Sequence, residues 1–360
     1  AIRAHQRIAI KVGGGGRRHA DAIRRLAETC GAAVVLSPGS TGVLPDAHPQ
    51  NMHVGGSKGS ISGNYAMAEA ELLIVIGSRG VCQADCSGIG YEKAKAVINI
   101  NADLADVSHY NHTLALQGDI GAGIERLLAA LGSVDLAQRR EWLQACAASK
   151  AEWQAFKQQR YAAPALQDVA FGRALLTQPA AIKIVADFAK AEGAVKLFDA
   201  GDVQANGFQI VEDDAPGQSY TESGASYMGF AVSALAAGGM ADDPDYAIAF
   251  SGDGSFMMNP QILIDAVEHG ARGMIVVFDN RRMAAISGLQ LAQYGADYRT
   301  NDSVAVDYVK LASAVAGVKA LDGSGDATAL RQALQAARTH DGLSLVHVPV
   351  YAGDDGRGGM

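Results

Sequence analysis

Residues 251–260 read SGDGSFMMNP and directly follow the apolar run YAIAF. A second apolar run, GMIVVF, covers residues 273–278 and ends in Asp279 and Asn280. The stretch between them, PQILIDAVEHG, has the period of an amphipathic helix. Strand, helix and strand form one βαβ unit, so Asp253 and Asn280 are expected at the carboxyl ends of neighbouring parallel strands. Ligands of open α/β sheets bind at that edge.

The residue types at this edge indicate a metal and a phosphate group. Aspartate and asparagine offer hard oxygen ligands, which suit Mg²⁺ rather than zinc. Gly252 and Gly254 let the backbone approach a phosphate closely, and Ser255 places a hydroxyl at the start of the following helix. The alternative is a capping aspartate with an unrelated turn asparagine. The spacing of one βαβ unit favours a shared site.

The same alternation of apolar strands and amphipathic stretches runs through all 360 residues. It predicts an α/β protein with parallel sheets flanked by helices, and the length suits two domains. We expect a Rossmann-like domain at residues 1–150, a linker at 151–165 and a second Rossmann-like domain at 166–360. Among the helices of the second domain we include ASYMGFAVSALAAGG, residues 225–239. The expected strands are RIAIKV, AAVVLS, ELLIVIG and AVININ in the first domain, and AVKLFDAG, YAIAFSGDG, GMIVVFDN and LSLVHVPV in the second.

Composition argues against several classes of protein. The net charge of −8 disfavours nucleic acid as the main partner, because a phosphate backbone needs a basic surface. No apolar run reaches the length of a membrane span, and the first residues lack a signal-peptide pattern. The four cysteines have no zinc-ribbon spacing, including the pair Cys82 and Cys86. We therefore expect a reduced, cytoplasmic protein with neither a membrane nor a nucleic-acid partner.

A glycine run near the start, VGGGGRRHA at residues 12–20, invites comparison with a dinucleotide-binding fingerprint. The G-x-G-x-x-G template requires a third glycine where Arg18 stands, and no acidic ribose-binding residue follows at the right strand end. We interpret the run as a tight turn between strand and helix. A nucleotide-binding Rossmann oxidoreductase is the weaker alternative.

The stretch from Gly252 to Asn280 resembles the cofactor motif of thiamine diphosphate enzymes, in which GDG is followed at a fixed interval by Asn. It is similar in detail to the acetohydroxyacid synthase-like branch, which includes the trihydroxycyclohexanedione hydrolases. The resemblance implies that the Asp253 and Asn280 side chains and the backbone carbonyl of Arg282 bind Mg²⁺, which holds the diphosphate. It also implies that Gly254 and Ser255 contact the diphosphate itself.

Two further segments resemble cofactor-binding parts of that family. TESGASYMGFAVSALAAGG, residues 221–239, is similar to the segment that holds the aminopyrimidine. Met228 would then prop the cofactor into its bent shape, and the Met228 N–H and the Ser226 carbonyl would bind the pyrimidine edge. FDAGDVQANG, residues 198–207, is similar to a loop that touches the diphosphate. Matching residues there are Gly201, Asp202 and Gln204, whereas Val203 replaces a common phosphate-binding histidine.

The first domain resembles the central domain of the same family, notably over residues 43–79. That domain has a Rossmann-like fold and no catalytic residues of its own. In some relatives it holds FAD or another adenine nucleotide, and the stretches HVGGSKG and GSRG lie where such contacts occur. Their residues only partly match those of FAD binders, so FAD is kept as the less favoured expectation.

By this resemblance the chain accounts for two of three usual domains. The pyrimidine-binding domain, which supplies the glutamate that activates the cofactor, has no counterpart in the sequence. Glu222 lies near the pyrimidine segment, but we interpret it as a loop or capping residue. No catalytic residue is therefore assigned in this chain. Either a separate subunit carries the missing domain, or the sequence is a fragment of a longer chain. We favour the separate subunit, in a hetero-oligomer.

The resemblance implies an enzyme that cleaves or forms a carbon–carbon bond next to a carbonyl, acting on a small 2-oxo acid or 1,2-diketone. Relatives often carry Gly-Met where this chain has Ala284 and Ala285, which disfavours ordinary acetolactate chemistry. The alternatives are a 2-oxo acid decarboxylase, a cyclic-diketone hydrolase and a non-catalytic subunit that keeps the cofactor fold. The residues expected to border the substrate are Ala284, Ala285, Ile286 and Gln290.

Overall fold

The computed structural model describes residues 1–57, 59–80, 90–108, 110, 112–162, 164–222, 224–300 and 304–353. The chain divides into two compact units. One comprises Ala1–Lys157 with Glu212–Ser219, and the other comprises Gln158–Val211 with Tyr220–Met360. The sequence-based limits at residues 150 and 165 stay a prediction. Cys82 and Cys86 lie outside the described residues.

The first unit contains a parallel sheet of six strands. Its order across the sheet is β3-β2-β1-β4-β5-β6, the order of a Rossmann fold. The central strands β1 and β4 are buried along their whole length, as continuous apolar runs predict. The strands are β1 (Ile8–Val12), β2 (Ala33–Leu36), β3 (Asn51–Val54), β4 (Leu72–Ile76), β5 (Ala96–Asn101) and β6 (Thr113–Gln117).

Helices connect the strands of this first sheet, and local chemistry sets their limits. Gly31 adopts the left-handed conformation (φ 59°) that ends the first helix. The side chains of Ser60 and Asp119 accept backbone N–H groups and begin two others. The helices are α1 (Ala20–Cys30), α2 (Ile61–Glu69), α3 (Leu104–Val107), α4 (Ile120–Leu131) and α5 (Arg140–Ala162).

The glycine run after β1 packs two strand ends together. A Cβ atom at Gly13 would collide with the backbone of Gly77 and Ser78, which follow β4. A Cβ at Gly15 would also press on Gly77. Only glycine fits such a close approach of two chain segments. The packing supports the tight-turn interpretation of this stretch.

The second sheet also has six strands, in the order β10-β9-β11-β12-β14-β13. The pairs β9–β11, β11–β12, β12–β14 and β13–β14 are parallel. A separate antiparallel hairpin, β7–β8, precedes the sheet along the chain. The strands are β7 (Ala165–Asp168), β8 (Arg173–Leu176), β9 (Val195–Phe198), β10 (Ser219–Thr221), β11 (Ala247–Gly252), β12 (Gly273–Asp279), β13 (Lys319–Asp322) and β14 (Leu343–Pro349).

Helices flank this sheet too, so the predicted fold class of two parallel α/β sheets is confirmed. The core on one face of the second sheet joins Leu263, Phe256 and Tyr308 to the strand residues Ala249 and Ile275. The helices are α6 (Gln178–Ala191), α7 (Asp202–Ile210), α8 (Phe230–Ala234), α9 (Asp253–Phe256), α10 (Ile262–Glu268), α11 (Ala284–Tyr294), α12 (Tyr308–Ser313) and α13 (Ala327–Arg338).

The predicted helix at residues 225–239 is wrong over much of its length. An α-helix occupies only Phe230–Ala234, and a 3₁₀-helix follows at Leu235–Gly239. Ser226 (φ 56°) and Gly229 (φ 88°) lie in the left-handed region, which no right-handed helix can include. The apolar periodicity of the segment therefore predicts the helix α8, but it does not predict the turn that precedes α8.

Across the described ranges, no helix combines the length and the apolar character that crossing a bilayer needs.

Candidate functional site

The carboxyl ends of β11 and β12 lie side by side, as the βαβ interpretation predicts. The strands are parallel, and Gly252 at the end of β11 pairs with Phe278 of β12. Asp253 follows the pair by one residue and Asn280 by two. Both side chains are buried, although both are polar. Buried oxygen atoms at the carboxyl-end edge of a parallel α/β sheet are suited to bind a hard cation.

A rigid turn follows β12. Oδ1 of Asp279 accepts the N–H of Arg281 at 3.1 Å, and Oδ1 of Asn280 accepts the N–H of Arg282 at 3.0 Å. The carbonyl of Arg282 accepts the N–H of Ala284 at 2.9 Å. Arg281 has φ 51°, a left-handed value that is uncommon for a long side chain. Carbonyl and amide oxygens have two lone pairs, so Asn280 and Arg282 each keep one for another ligand.

The side chain of Arg282 fixes the same turn to α11 and to the segment that follows β14. Its guanidinium donates to Oγ of Ser287, to a carboxylate oxygen of Asp297 and, at 2.8 Å, to the carbonyl of Ala352. The Ser287 hydroxyl also donates to Asp297. These hydrogen bonds, the one from Ser287 first and then the one from Arg282, lower the pKa of Asp297 to about 2. Sequence reasoning assigned only the backbone of Arg282 and missed this network.

Met228 lies against the glycine-rich loop. The methyl carbon of Met228 is 3.5 Å from the position that a Cβ at Gly254 would take, and Sδ of Met283 is 3.7 Å from it. A Cβ at the neighbouring Gly229 would lie 3.5 Å from the backbone carbonyl oxygen of Ser255. The structure thus brings together the predicted pyrimidine segment and the predicted diphosphate loop. Met228 is only half-buried, so it is not an ordinary core residue.

The loop after β9 completes the edge. Gly201 has φ 86°, and a Cβ there would meet no atom within 4 Å, so this position borders open space. Asp202 is the first residue of α7. Nε2 of Gln204 donates to Oγ1 of Thr221 at 2.6 Å and to the carbonyl of Glu222 at 3.2 Å. Val203 is buried, and its side chain packs 3.7 Å from the Cβ position of Gly252.

Asp199 is a buried carboxylate beside the candidate site that sequence reasoning did not single out. It is fully buried at the end of β9, where its carboxylate accepts the N–H of Gly229 at 2.7 Å and the hydroxyl of Ser251 at 2.6 Å. Burial raises its pKa, and these hydrogen bonds with those from Ala231 and Ala200 oppose the rise. The sequence signal that could have identified Asp199 is a carboxylate at the end of a predicted apolar strand, and Asp253 and Asp279 share this signal.

Glu222 is a loop residue whose side chain accepts hydrogen bonds from its own turn, within the interpretation of it as a loop or capping residue. Its carboxylate accepts the backbone N–H groups of Gly224, Ala225 at 2.9 Å and Tyr227 at 3.4 Å. Slight burial pushes the pKa of Glu222 upward, but the backbone N–H groups outweigh it and lower the pKa below its ordinary value. Both oxygens are thus engaged by the turn.

The residues expected to border a substrate differ in exposure. Ala284 is buried, Ala285 is half-buried and Ile286 is exposed on α11. Gln290 is half-buried, and its Oε1 accepts the N–H of Tyr298 at 2.7 Å. Their contact with a substrate stays a prediction.

Many large apolar side chains are exposed in three segments near the candidate site: the turn before α8, the stretch after α9, and α11 with its flanking residues. Exposed fractions reach 67% for Leu289 and 74% for Tyr294 on α11. Apolar side chains that form a contiguous exposed patch mark an interaction site. We call this the exposed apolar set: Tyr227, Met257, Met258, Met283, Ile286, Leu289, Tyr294 and Tyr298.

Comparison with known protein families agrees with this geometry. The model of the thiamine pyrophosphate enzyme C-terminal TPP-binding domain matches residues 199–348, which include all predicted cofactor and metal residues. The model of the thiamine pyrophosphate enzyme central domain matches residues 1–127.

Individual relatives come from two groups of enzymes. The acetolactate synthase isozyme 1 large subunit of Escherichia coli (strain K12) is 26% identical over 353 residues, or 98% of this chain and 60% of the relative. The 3D-(3,5/4)-trihydroxycyclohexane-1,2-dione hydrolase of Lacticaseibacillus casei is 27% identical over 365 residues, or 94% and 56%. The isozyme 2 large subunit of Escherichia coli (strain K12) is 28% identical over 308 residues, or 84% and 52%. The chain thus spans between 52% and 60% of the length of these relatives.

Proposed function

The chain belongs to the thiamine pyrophosphate enzymes, with their central and C-terminal domains, and we propose that it binds the diphosphate end of thiamine diphosphate through Mg²⁺. The enzyme that it forms part of makes or breaks a carbon–carbon bond next to a carbonyl group. The observation that carries the proposal is the pairing of Gly252 with Phe278, which sets Asp253 and Asn280 at one sheet edge.

The residues at this edge fit the cofactor chemically. The Asp253 carboxylate, Oδ1 of Asn280 and the Arg282 carbonyl are hard oxygen donors, which Mg²⁺ combines with phosphate oxygens. The glycines there leave room for the diphosphate, since Gly201 borders open space. Bound thiamine diphosphate supplies an electron sink for the bond that breaks or forms. The residues proposed to hold its diphosphate are Gly201, Asp202, Gln204, Gly252, Gly254 and Ser255.

Calorimetric titration with thiamine diphosphate and Mg²⁺ tests the proposal. We expect saturable binding to the wild-type chain and its loss in Asp253→Ala. The matched control is Asp243→Ala, which removes an exposed carboxylate before β11 and should leave binding unchanged. A wild-type chain that does not bind would favour the alternative of a subunit that keeps only the cofactor fold.

We further propose that a separate polypeptide contributes a pyrimidine-binding domain and its activating glutamate, in a hetero-oligomer. The exposed apolar set supports this, because it lies on the segments that form the site and gives a partner domain an apolar surface to cover. Glu222, the glutamate near the pyrimidine segment, is engaged by backbone N–H groups of its own turn, which supports an activating glutamate from elsewhere. Full turnover by this chain alone would contradict the proposal.

We consider two classes of substrate for the assembled enzyme, small 2-oxo acids and cyclic 1,2-diketones. Relatives of this chain include enzymes named for both acetolactate synthesis and trihydroxycyclohexane-dione hydrolysis. We favour a reaction of the acetolactate synthase-like type on a 2-oxo acid or a 1,2-diketone, although Ala284 and Ala285 disfavour ordinary acetolactate synthesis. A diketone hydrolase and a 2-oxo acid decarboxylase are the alternatives. Assays of the assembled enzyme with pyruvate and with a cyclic 1,2-diketone separate the two substrate classes, since only pyruvate can release CO₂. The second product, acetolactate or acetaldehyde, then separates a synthase from a decarboxylase.

A further inference from the structure

The turn before α8 is held from both sides by carboxylates, and the residue between them is Met228. We propose that Glu222 is a positioning residue for the pyrimidine end of the cofactor: its carboxylate shapes this turn so that the Met228 N–H and the Ser226 carbonyl face the ligand unpaired. This inference rests on the proposed function.

Glu222 occupies the N–H groups that precede Met228. Its two oxygens accept from Gly224, Ala225 and Tyr227. Successive backbone N–H groups that converge in this way form a nest for an anion. The anion here is part of the chain itself, two to five residues upstream of its donors.

Asp199 occupies the N–H groups that follow Met228. It accepts from Gly229 at 2.7 Å and also from Ala231. Neither the Met228 N–H nor the Ser226 carbonyl has a hydrogen-bond partner among the described residues. The two carboxylates thus accept backbone N–H groups before and after Met228, and neither accepts the Met228 N–H.

The conformation of Ser226 requires this support. Its φ of 56° lies in the left-handed region, which disfavours a side chain with a Cβ. The N–H groups on both sides of Ser226 are tied to the Glu222 carboxylate, which holds the residue in that region. Without the carboxylate, the turn is free to relax toward ordinary backbone angles, and the Ser226 carbonyl changes direction.

Glu222 also connects the two ends of the site. Its backbone carbonyl accepts from Nε2 of Gln204, and Gln204 lies in α7 beside the proposed diphosphate position at Gly201. The same residue thus joins the diphosphate loop through its backbone and the pyrimidine turn through its side chain. A preorganised turn lowers the ordering cost of binding, so its loss should appear as weaker binding of ligands that reach it.

The experiment compares two ligands in the presence of Mg²⁺: thiamine diphosphate, which reaches the turn, and inorganic pyrophosphate, which does not. For Glu222→Ala we expect about tenfold or greater weakening for thiamine diphosphate and less than about twofold change for pyrophosphate. Glu222→Gln keeps the shape of the side chain but turns an amide N–H₂ toward backbone donors, and should show the same selectivity. Glu268→Ala, an exposed glutamate at the end of α10, is the matched control and should bind both ligands normally.

A small carboxylate provides a second readout. Formate added to Glu222→Ala should restore part of the affinity for thiamine diphosphate by filling the nest, and should not strengthen wild-type binding. A wild-type chain that binds neither ligand would refute the proposed function itself. A wild-type chain that binds, with variants that bind thiamine diphosphate equally well or lose both ligands equally, would overturn the role of Glu222.

Discussion

Nε2 of His347 on β14 lies 2.9 Å from Oδ2 of Asp279, the last residue of β12. Oδ1 of the same carboxylate accepts the N–H of Arg281, so Asp279 joins the neighbouring strand to the turn that carries Asn280 and Arg282. The pair therefore fixes the proposed metal turn although neither residue is proposed to touch the metal.

Replacing Asp279 by alanine should weaken both the fold and Mg²⁺ binding. The change leaves the His347 ring and the Arg281 N–H without their acceptor, and we expect the free energy of unfolding to fall by about 1–3 kcal/mol. Urea unfolding measures the first effect, and Mg²⁺ titration at saturating thiamine diphosphate measures the second. An unchanged Mg²⁺ affinity would show that the turn keeps its shape without Asp279.

Alanine substitutions at two glycines should distinguish the effect of backbone strain from the effect of a lost cofactor contact. Gly201→Ala places a Cβ in open space but at φ 86°, so we expect a loss of about 1–2 kcal/mol of stability in addition to weaker cofactor binding. Gly254→Ala adds a Cβ at an ordinary contact distance from Met228, so stability should change by less than about 1 kcal/mol while thiamine diphosphate binding weakens. Thermal unfolding and calorimetry, run on both variants, give the two quantities. Normal cofactor binding by Gly254→Ala would contradict the placement of the diphosphate.

The exposed apolar set should govern assembly and leave cofactor binding intact. Changing Leu289 and Tyr294 to aspartate removes two of its most exposed members and adds charge. We expect such a variant to lose association with the pyrimidine-domain subunit and to keep the wild-type affinity for thiamine diphosphate. Co-purification and calorimetry provide the comparison, and an exposed pair elsewhere, Leu104 and Leu114, serves as the control. Retained association would place the partner on another surface.

Acid should destabilise the first unit through His53. Burial lowers the pKa of His53 below its ordinary value of 6.5, and the hydrogen bond with Asp46 only partly offsets this. The unfolded state therefore binds more protons as the pH falls below 6.5, so the stability contributed by neutral His53 is lost from there downward. The melting temperature between pH 7.5 and 5 should fall less in His53→Gln than in the wild type. His269→Gln, which alters an exposed ring, should follow the wild type.

The sequence predicted the parts of the site whose signal is local and periodic. The buried strands β11 and β12 are continuous apolar runs, and the helix between them fixes how their ends meet, so Asp253 and Asn280 could be placed beforehand. The same logic predicted both sheets. The short strands β3, β10 and β13 and the hairpin β7–β8 lack a strong apolar run, and β6 is exposed along most of its length, so none of them was predicted.

Other features depend on contacts between distant residues. The turn at Ser226 looks helical by periodicity, because the reason for its left-handed backbone is a carboxylate four residues earlier. Asp199 resembles a strand-end residue like any other until β9, β11 and Gly229 are seen to converge on it. Arg282 carries a network with Ser287 and Asp297 that no spacing rule predicts.

Counting metal ions on the protein tests the central claim most directly. Mn²⁺ can stand in for Mg²⁺, and electron paramagnetic resonance distinguishes free from bound Mn²⁺. With saturating thiamine diphosphate we predict about one bound Mn²⁺ per chain, and loss of that ion in both Asp253→Ala and Asn280→Ala but not in Asp243→Ala. Equal Mn²⁺ binding by the wild type and both site variants would contradict a shared metal site at the ends of β11 and β12.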